Sequence, residues 1–360
     1  MSDIGLYIHV PLCLSKCPYC DFYSVRYSRT LAAAYSEALI KQLKTVRYRF
    51  DSVYFGGGTP SLVCGYMRDL LSCADIAENA EITAEANPCT LTDKNVSDIV
   101  SAGVNRVSLG VQSMRGGELA LLGRRHSPSH VRNAFEALKN AGIKNISADI
   151  MTGLPGQDES SIFETVTQLE RLGAVHISAY ILKIEENTPF YEKYPNGAVS
   201  DEAAAELYLY TVSLLEERGF KQYEISNFAR AGFECKHNLK YWRCEEYLGI
   251  GAGAHSFLNG KRFFERADIN GYISSGGGDI IYTDENAGDR EEYIMLRLRL
   301  CEGVDTRELS GLYGAEAAEE LIKNASLVPN EYISIKNGRI SLTAKGFPVS
   351  NAVIGKLLGY

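Results

Sequence analysis

Over the first 182 positions, short apolar, β-branched runs alternate with small-residue or polar loops and amphipathic stretches. This rhythm predicts successive βα units, with strands at 5–10, 52–55, 81–86, 106–111, 145–151 and 174–182. Between them apolar residues recur at helical spacing, as at Leu31, Tyr35, Ala38, Leu39, Leu43 and Val46, and again at Ile162, Val166 and Leu169. Six parallel strands with right-handed crossovers can form an open doubly wound sheet or a barrel with its helices outside. The strand ends separate the two, because a barrel gathers chemistry at the carboxyl ends of many strands and a doubly wound sheet at one switch point. Here His9 and a cysteine loop follow the first strand, Gly56-Gly57-Gly58-Thr59-Pro60 the second, Glu85-Ala86-Asn87-Pro88 the third and Gln112-Ser113 the fourth, while Asp149 lies in the fifth and Tyr180 in the sixth. The expected fold is α/β, an incomplete (β/α)6 TIM-like barrel.

After Leu182 the pattern changes. A helix is predicted over 201–218, followed by a glycine- and aromatic-rich region. From about Asp289 come further helical stretches, then a segment over 332–343 that alternates apolar and polar residues around Asn337-Gly338, a hairpin signal. Helices, a hairpin and a last helix describe a small α+β module of winged-helix type. The expected division is 1–230 for the barrel, 231–288 for a connecting region and 289–360 for the C-terminal module. Residues 284–360 carry 12 acidic and 9 basic side chains, which favours a packing or partner-docking module over a DNA reader.

Composition narrows the partners. At 360 residues, 45% hydrophobic and 23% charged, the chain has the make-up of a folded globular protein and more length than one core usually holds. Its net charge of −8 argues against an electrostatic grip on nucleic acid, and no apolar stretch reaches the roughly 18–20 residues of a membrane span. Met1-Ser2-Asp3 begins nothing like a secretory signal, so a cytoplasmic location is expected. In that reducing setting, clustered cysteines point to metal or catalysis.

Three of the nine cysteines fall within eight positions, in Cys13-Leu14-Ser15-Lys16-Cys17-Pro18-Tyr19-Cys20. Three thiolates so close can converge on one iron–sulfur centre, and a [4Fe–4S] cluster held by three cysteines leaves one iron open to a ligand. A zinc site completed by His9 is the metal alternative, and buried small hydrophobes the alternative without metal. The glycine triplet lets backbone approach a ligand closely. Glu85, Gln112, Arg124 and Asp149 place carboxylates, an amide and a guanidinium around the strand ends, where they could meet ribose hydroxyls and a carboxylate.

With these residues the chain resembles the radical S-adenosylmethionine (SAM) enzymes, and within them the anaerobic coproporphyrinogen III oxidase-like branch. The resemblance implies a [4Fe–4S] cluster on Cys13, Cys17 and Cys20, and SAM held by Tyr7, Tyr19, Gly57, Gly58, Thr59, Glu85, Gln112, Arg124 and Asp149. Gly153-Leu154-Pro155-Gly156-Gln157 is a further segment of the branch. The oxidase proper carries another cysteine two residues after the third, where this chain has Phe22, and a longer segment before its first strand. Both departures bring the chain nearer to the haem chaperones of the branch.

His237-Asn238-Leu239-Lys240-Tyr241-Trp242 matches a motif of those chaperones, in which the histidine is the implied haem ligand; His255 is a second candidate. No role falls to His126, His130 or His176. The expected function is binding haem and passing it to an acceptor haemoprotein. The alternatives are oxidative decarboxylation of coproporphyrinogen III, and radical methyl transfer or ring opening on a tetrapyrrole. The resemblance also implies an electron donor such as flavodoxin or ferredoxin, and allows a homodimer.

Overall fold

A computed structural model describes residues 3–360 of the chain; Met1 and Ser2, the start of the signal-peptide reading, lie outside the described residues. The six expected strands are present as β1 (Ile4–Val10), β2 (Arg49–Gly57), β3 (Asp75–Ala86), β4 (Arg106–Gln112), β5 (Asn145–Thr152) and β6 (His176–Ile181). They pair in parallel in that order. The crossovers are helices whose ends follow the sequence: Ser28 caps Arg29–Leu43 by accepting from the Leu31 amide, and Asp158 caps Glu159–Leu172, which ends at Gly173 in the left-handed region.

The sheet runs beyond these six. β7 (Lys221–Gln222) and β8 (Asn227–Ala229) extend the β6 edge, and β9 (Tyr247–Ile250), β10 (His255–Leu258), β11 (Lys261–Glu265) and β12 (Ile280–Asp284) extend the β1 edge, giving the order β12-β11-β10-β9-β1-β2-β3-β4-β5-β6-β8-β7. β9 lies parallel to β1 as a seventh parallel strand. The strands within residues 247–284 thus belong to the same sheet as the barrel strands. Helices Thr306–Tyr313, Ala315–Ala325 and Ser350–Leu358 and a three-stranded sheet form the C-terminal module. Its hairpin turns at Asn337 and Gly338, both at positive φ, the geometry of a two-residue primed turn. Among the described residues no helix is long and apolar enough to cross a membrane.

The two faces of the barrel sheet have opposite chemistry. Successive strand residues point to opposite faces. Leu6, Ile8 and Val10, Val53 and Phe55, Val107, Leu109 and Val111, and Ile146, Ala148 and Ile150 are buried on the helix side. The alternate positions face inward and are polar: Tyr7 and His9, Ser52 and Tyr54, Glu81, Thr83 and Glu85, Arg106 and Ser108, Ser147 and Asp149, His176 and Ser178. Branched apolar side chains usually fill such barrels; this one encloses a column of hydrogen-bonding and charged groups.

A polar column needs closing, since buried charge without partners is costly. Helix Lys236–Trp242 closes its base. The preceding Cys235 supplies no side-chain cap, and Glu81 of β3 takes over from across the barrel. One carboxylate oxygen accepts from the Lys236 amide at 3.2 Å, and the other from the His237 amide at 3.3 Å and the Cys235 thiol at 3.4 Å. A carboxylate at a helix N-terminus meets unpaired amides and the positive end of the dipole. Lys240, buried on the same helix, pairs with Asp51 at 2.8 Å and Glu245 at 3.3 Å. Replacing Glu81 by Ala should cost about 1–3 kcal/mol of stability and remove hydrogen-exchange protection from the Lys236 and His237 amides; protection equal to the parent's would show that Glu81 does not hold the helix.

Candidate functional site

The loop after β1 is tied down by its backbone. Leu12–Cys13 pairs in parallel with Val25–Arg26, the Tyr27 amide donates to the Cys13 carbonyl at 2.9 Å, and the Cys20 amide donates to the Cys17 carbonyl at 3.1 Å. This fold-back brings Cys13, Cys17 and Cys20, all free thiols, to the wall of a cavity of about 460 Å³ at the carboxyl ends of the strands. The Thr59 hydroxyl donates to the Cys13 sulfur at 3.7 Å, and Arg124 Nη1 to the Cys17 sulfur at 3.8 Å. Burial raises the Cys13 and Cys20 thiol pKa values. Metal coordination reverses that tendency, because a bound cation favours the thiolate. Hydrogen-bond donors on the sulfurs suit thiolate ligands of an iron–sulfur cluster. The other six cysteines are free and lie apart from the loop, Cys89 alone of them lining the cavity.

Eight of the nine residues expected around SAM line the same cavity, Tyr19 among them, and Arg106, Ser108, Ser178 and Asn238 join them. Glycine is required at two of these positions. A Cβ on Gly57, at φ +109, would lie 2.5 Å from the His9 ring, and one on Gly58 would lie 2.8 Å from the Leu12 carbonyl oxygen. Thr59 lines the cavity beside them. Glu85 accepts from the Tyr54 hydroxyl at 2.9 Å and from the Gly57 amide at 3.1 Å. Burial first, then the neighbouring Asp149 charge, pushes its pKa up to about 7. Burial also raises Asp149, against hydrogen bonds from Ser178 and Ser108, the latter at 3.0 Å. Gln112 sits at φ +67 where the β4–β5 register shifts, a left-handed conformation uncommon for a non-glycine residue.

Arg124 stands over the Tyr19 ring at 5.8 Å. Its buried Nε has no hydrogen-bond partner, and no carboxylate among the described residues pairs with it. An unpaired guanidinium beside three thiols fits a ligand carboxylate. The residues present thus fit both groups, the cluster at the thiols and the amino-acid end of SAM between the glycine turn and Arg124.

Two expected site residues lie elsewhere. Tyr7 does not reach the cavity wall; its hydroxyl meets His9 Nδ1 at 2.9 Å, and its ring stacks on Tyr54 below the mouth. Gly56 makes room for it, since a Cβ there would lie 2.8 Å from the Tyr7 ring. In this position Tyr7 supports the ring of Tyr54, which lines the cavity. His237 is fully buried in the closed base. Its Nδ1 hydrogen-bonds the Ser52 hydroxyl at 3.0 Å and its Nε2 the Tyr241 hydroxyl at 2.8 Å, one nitrogen as donor and the other as acceptor. Burial, then the Lys240 and Arg106 charges, lower its pKa to about 3 and keep it neutral. Both nitrogens of His237 are engaged within the base.

Sequence reading missed Arg106 and Asn238. A charge at the start of a strand looks like a solvent flank, although its inward register with Ser108 and Gln112 marks the polar face. Asn238 reaches the cavity from the base helix, so that one helix touches both ends of the column.

Glu85 also predicts a pH response. Its folded pKa, about 7, lies above the ordinary 4.5, so its contribution to stability is complete below 4.5 and is lost as pH rises through about 7. In the ligand-free protein Glu85→Gln should flatten this part of the fall in Tm between pH 4.5 and 7, leaving the share of Glu224, which burial likewise raises to about 7. A slope identical to the parent's would show that Glu85 is not the titrating group.

Comparison with known proteins agrees with this geometry. The Radical SAM superfamily model matches residues 7–169, and the HemN C-terminal domain model matches residues 289–349. The heme chaperone HemW of Lactococcus lactis is 34% identical, covering 98% of this chain and 96% of its own length. That of Haemophilus influenzae is 36% identical over 90% and 89%, and that of Escherichia coli 36% identical over 87% of each. Among solved structures, the coproporphyrinogen III oxidase HemN from Escherichia coli, described as a radical SAM enzyme, superposes with a TM-score of 0.81 at 19% identity, covering 99% of this chain and 90% of that one, which places the fold. The chain belongs to the HemW family of radical SAM proteins.

Proposed function

We propose that this protein is a haem chaperone, which binds haem and hands it to an acceptor haemoprotein, and that it carries a [4Fe–4S] cluster and SAM at the barrel mouth. The observation that carries the reading is near-full-length identity of about 35% to heme chaperones HemW, combined with three free thiols on one cavity wall. Cys13, Cys17 and Cys20 would hold the cluster. Gly57, Gly58, Thr59, Glu85, Gln112, Arg124 and Asp149 would hold SAM, with Tyr19 beneath the Arg124 guanidinium. When bound, a reduced cluster supplies the electron that cleaves SAM. The chain's own part is positional: Arg124 provides the cation for the SAM carboxylate, the glycine turn permits close approach, and Glu85 and Asp149 offer acceptors to hydroxyl or ammonium groups.

Phe22 supports the carrier reading over decarboxylation. It stands where the oxidases carry a further cysteine, and it is 64% exposed at the rim of the cavity, an aromatic surface without a thiol. An electron donor also has a place to approach. Lys16, Arg26 and Arg125 are exposed, form no ion pair among the described residues, and line a cleft against Cys13 that contains no acidic side chain. In a chain of net charge −8, this cleft suits an acidic donor such as flavodoxin or ferredoxin.

The complete SAM cavity keeps the oxidase reading in view, and one preparation separates the two. After anaerobic reconstitution with iron and sulfide, four irons per chain and saturable haem binding that survives gel filtration are expected, with no protoporphyrinogen from coproporphyrinogen III under reducing conditions with SAM. Replacing Cys17 by Ala should abolish the cluster. Protoporphyrinogen formation, or failure to retain haem, would overturn the assignment.

A further inference from the structure

On the floor of the cavity, inward side chains of β2 to β5 stand in one register: Tyr54 opposite Thr83, Thr83 opposite Arg106, and Arg106 opposite Asn145. Arg106 is 1% exposed and is the largest fully buried side chain among the described residues. Neither neighbour meets it. Thr83 Oγ1 and Asn145 Oδ1 are buried without a hydrogen-bond partner, and so are Arg106 Nε and Nη1. A guanidinium taken out of water with its donors unmet is costly, and the open side left to it is the cavity that it lines.

The acidic groups around Arg106 are committed elsewhere. Glu81 accepts from the base helix and the Cys235 thiol, Glu85 from Tyr54 and Gly57, and Asp149 from Ser108. Burial holds Glu85 and Asp149 toward their neutral forms, and it keeps the Tyr54 and Tyr223 phenols and the Cys235 thiol neutral. A second free donor faces the same space. Asn238 projects from the base helix into the cavity, half-buried, and no hydrogen bond to a described residue uses its side-chain amide. Arg124 stands at the other end: a Cβ on Gly110 would lie 3.2 Å from its Nη2, and Gly110 is four residues, or about 13 Å, along β4 from Arg106. A carboxylate held at Arg124 beside the thiols therefore leaves Arg106 unmet.

We infer that the cavity floor is a second anion site, at which Arg106 and Asn238 bind the carboxylate of a small organic acid beneath SAM. Resting on the reading that SAM fills the mouth, this assignment gives the cavity a second occupant. A guanidinium presents two parallel donors to the two oxygens of a carboxylate, and the Asn238 amide adds a third from the opposite element. The nearby wall is made by Tyr54, Ser108 and Ser178, a polar lining that suits a short acid over a long-chain one.

The test titrates the full chain, reconstituted anaerobically with iron and sulfide, with propionate in the absence and presence of saturating SAM, read by ligand-observed NMR. One saturable propionate per chain is expected in both conditions. Arg106→Met should weaken it at least about tenfold and Asn238→Ala about threefold, while Arg106→Lys keeps the charge, loses the fork and falls between parent and Met. Arg124→Ala should weaken SAM and leave propionate unchanged. Iron content reports folding; should Arg106→Met not assemble, Arg106→Lys and Asn238→Ala carry the comparison. No saturable propionate in the parent, or the parent's affinity in every Arg106 and Asn238 variant that assembles, would overturn the site. If SAM displaces propionate and Arg106→Lys weakens SAM as much as Arg124→Ala does, the floor takes SAM's own carboxylate and the second site is wrong. If propionate binds as expected but SAM does not bind the reconstituted parent, the reading of the mouth fails while the floor site stands.

Discussion

The structure depends on finding partners for a polar column inside a barrel whose apolar face is turned outward against the helices. Inward positions that many barrels fill with branched aliphatics here carry Glu81, Glu85, Arg106, Asp149 and His176. Each would be costly without partners. Glu81 resolves the base by capping the helix that closes it, which satisfies a buried carboxylate and a helix N-terminus together. The apolar sheet face against the crossover helices then supplies the burial that holds the assembly.

The same column differs at its two ends. At the base the Ser52–His237–Tyr241 set pairs internally, while Thr83 Oγ1 and Arg106 Nε and Nη1 above it have no hydrogen-bond partner. At the mouth the pairing is incomplete: Arg124 lacks a carboxylate, and Glu85 and Asp149 are held toward their neutral forms. Tyr54 joins the ends, stacking on His237 at 5.4 Å and donating to Glu85 at 2.9 Å. Unmet polar groups beside free thiols are what a charged cofactor completes, so the chemistry belongs to the mouth and the base serves as its foundation.

Much of this was legible in the sequence. β1 to β6 appear at the expected places because their outward positions are continuous in apolar character and their ends carry residues with no packing role. The cysteine loop and the glycine turn were legible through spacing. Depth within the barrel was not: strand register places Tyr7 below the mouth, and the helix Lys236–Trp242 places His237 in the base. β9 to β12 were hidden because strands of four or five residues with glycine and charge among them lack a clear period. The capping of helix Lys236–Trp242 by Glu81 was invisible because its partners stand more than 150 positions apart.

The claim that the mouth holds an open-iron cluster and SAM together is tested most directly by electron–nuclear double resonance on the reduced, reconstituted protein with SAM labelled in its amino and carboxylate groups. Hyperfine coupling from both labels to the cluster is predicted, and Arg124→Ala should weaken the carboxylate coupling. SAM that binds without coupling, or a chain that assembles no cluster on Cys13, Cys17 and Cys20, would contradict the account.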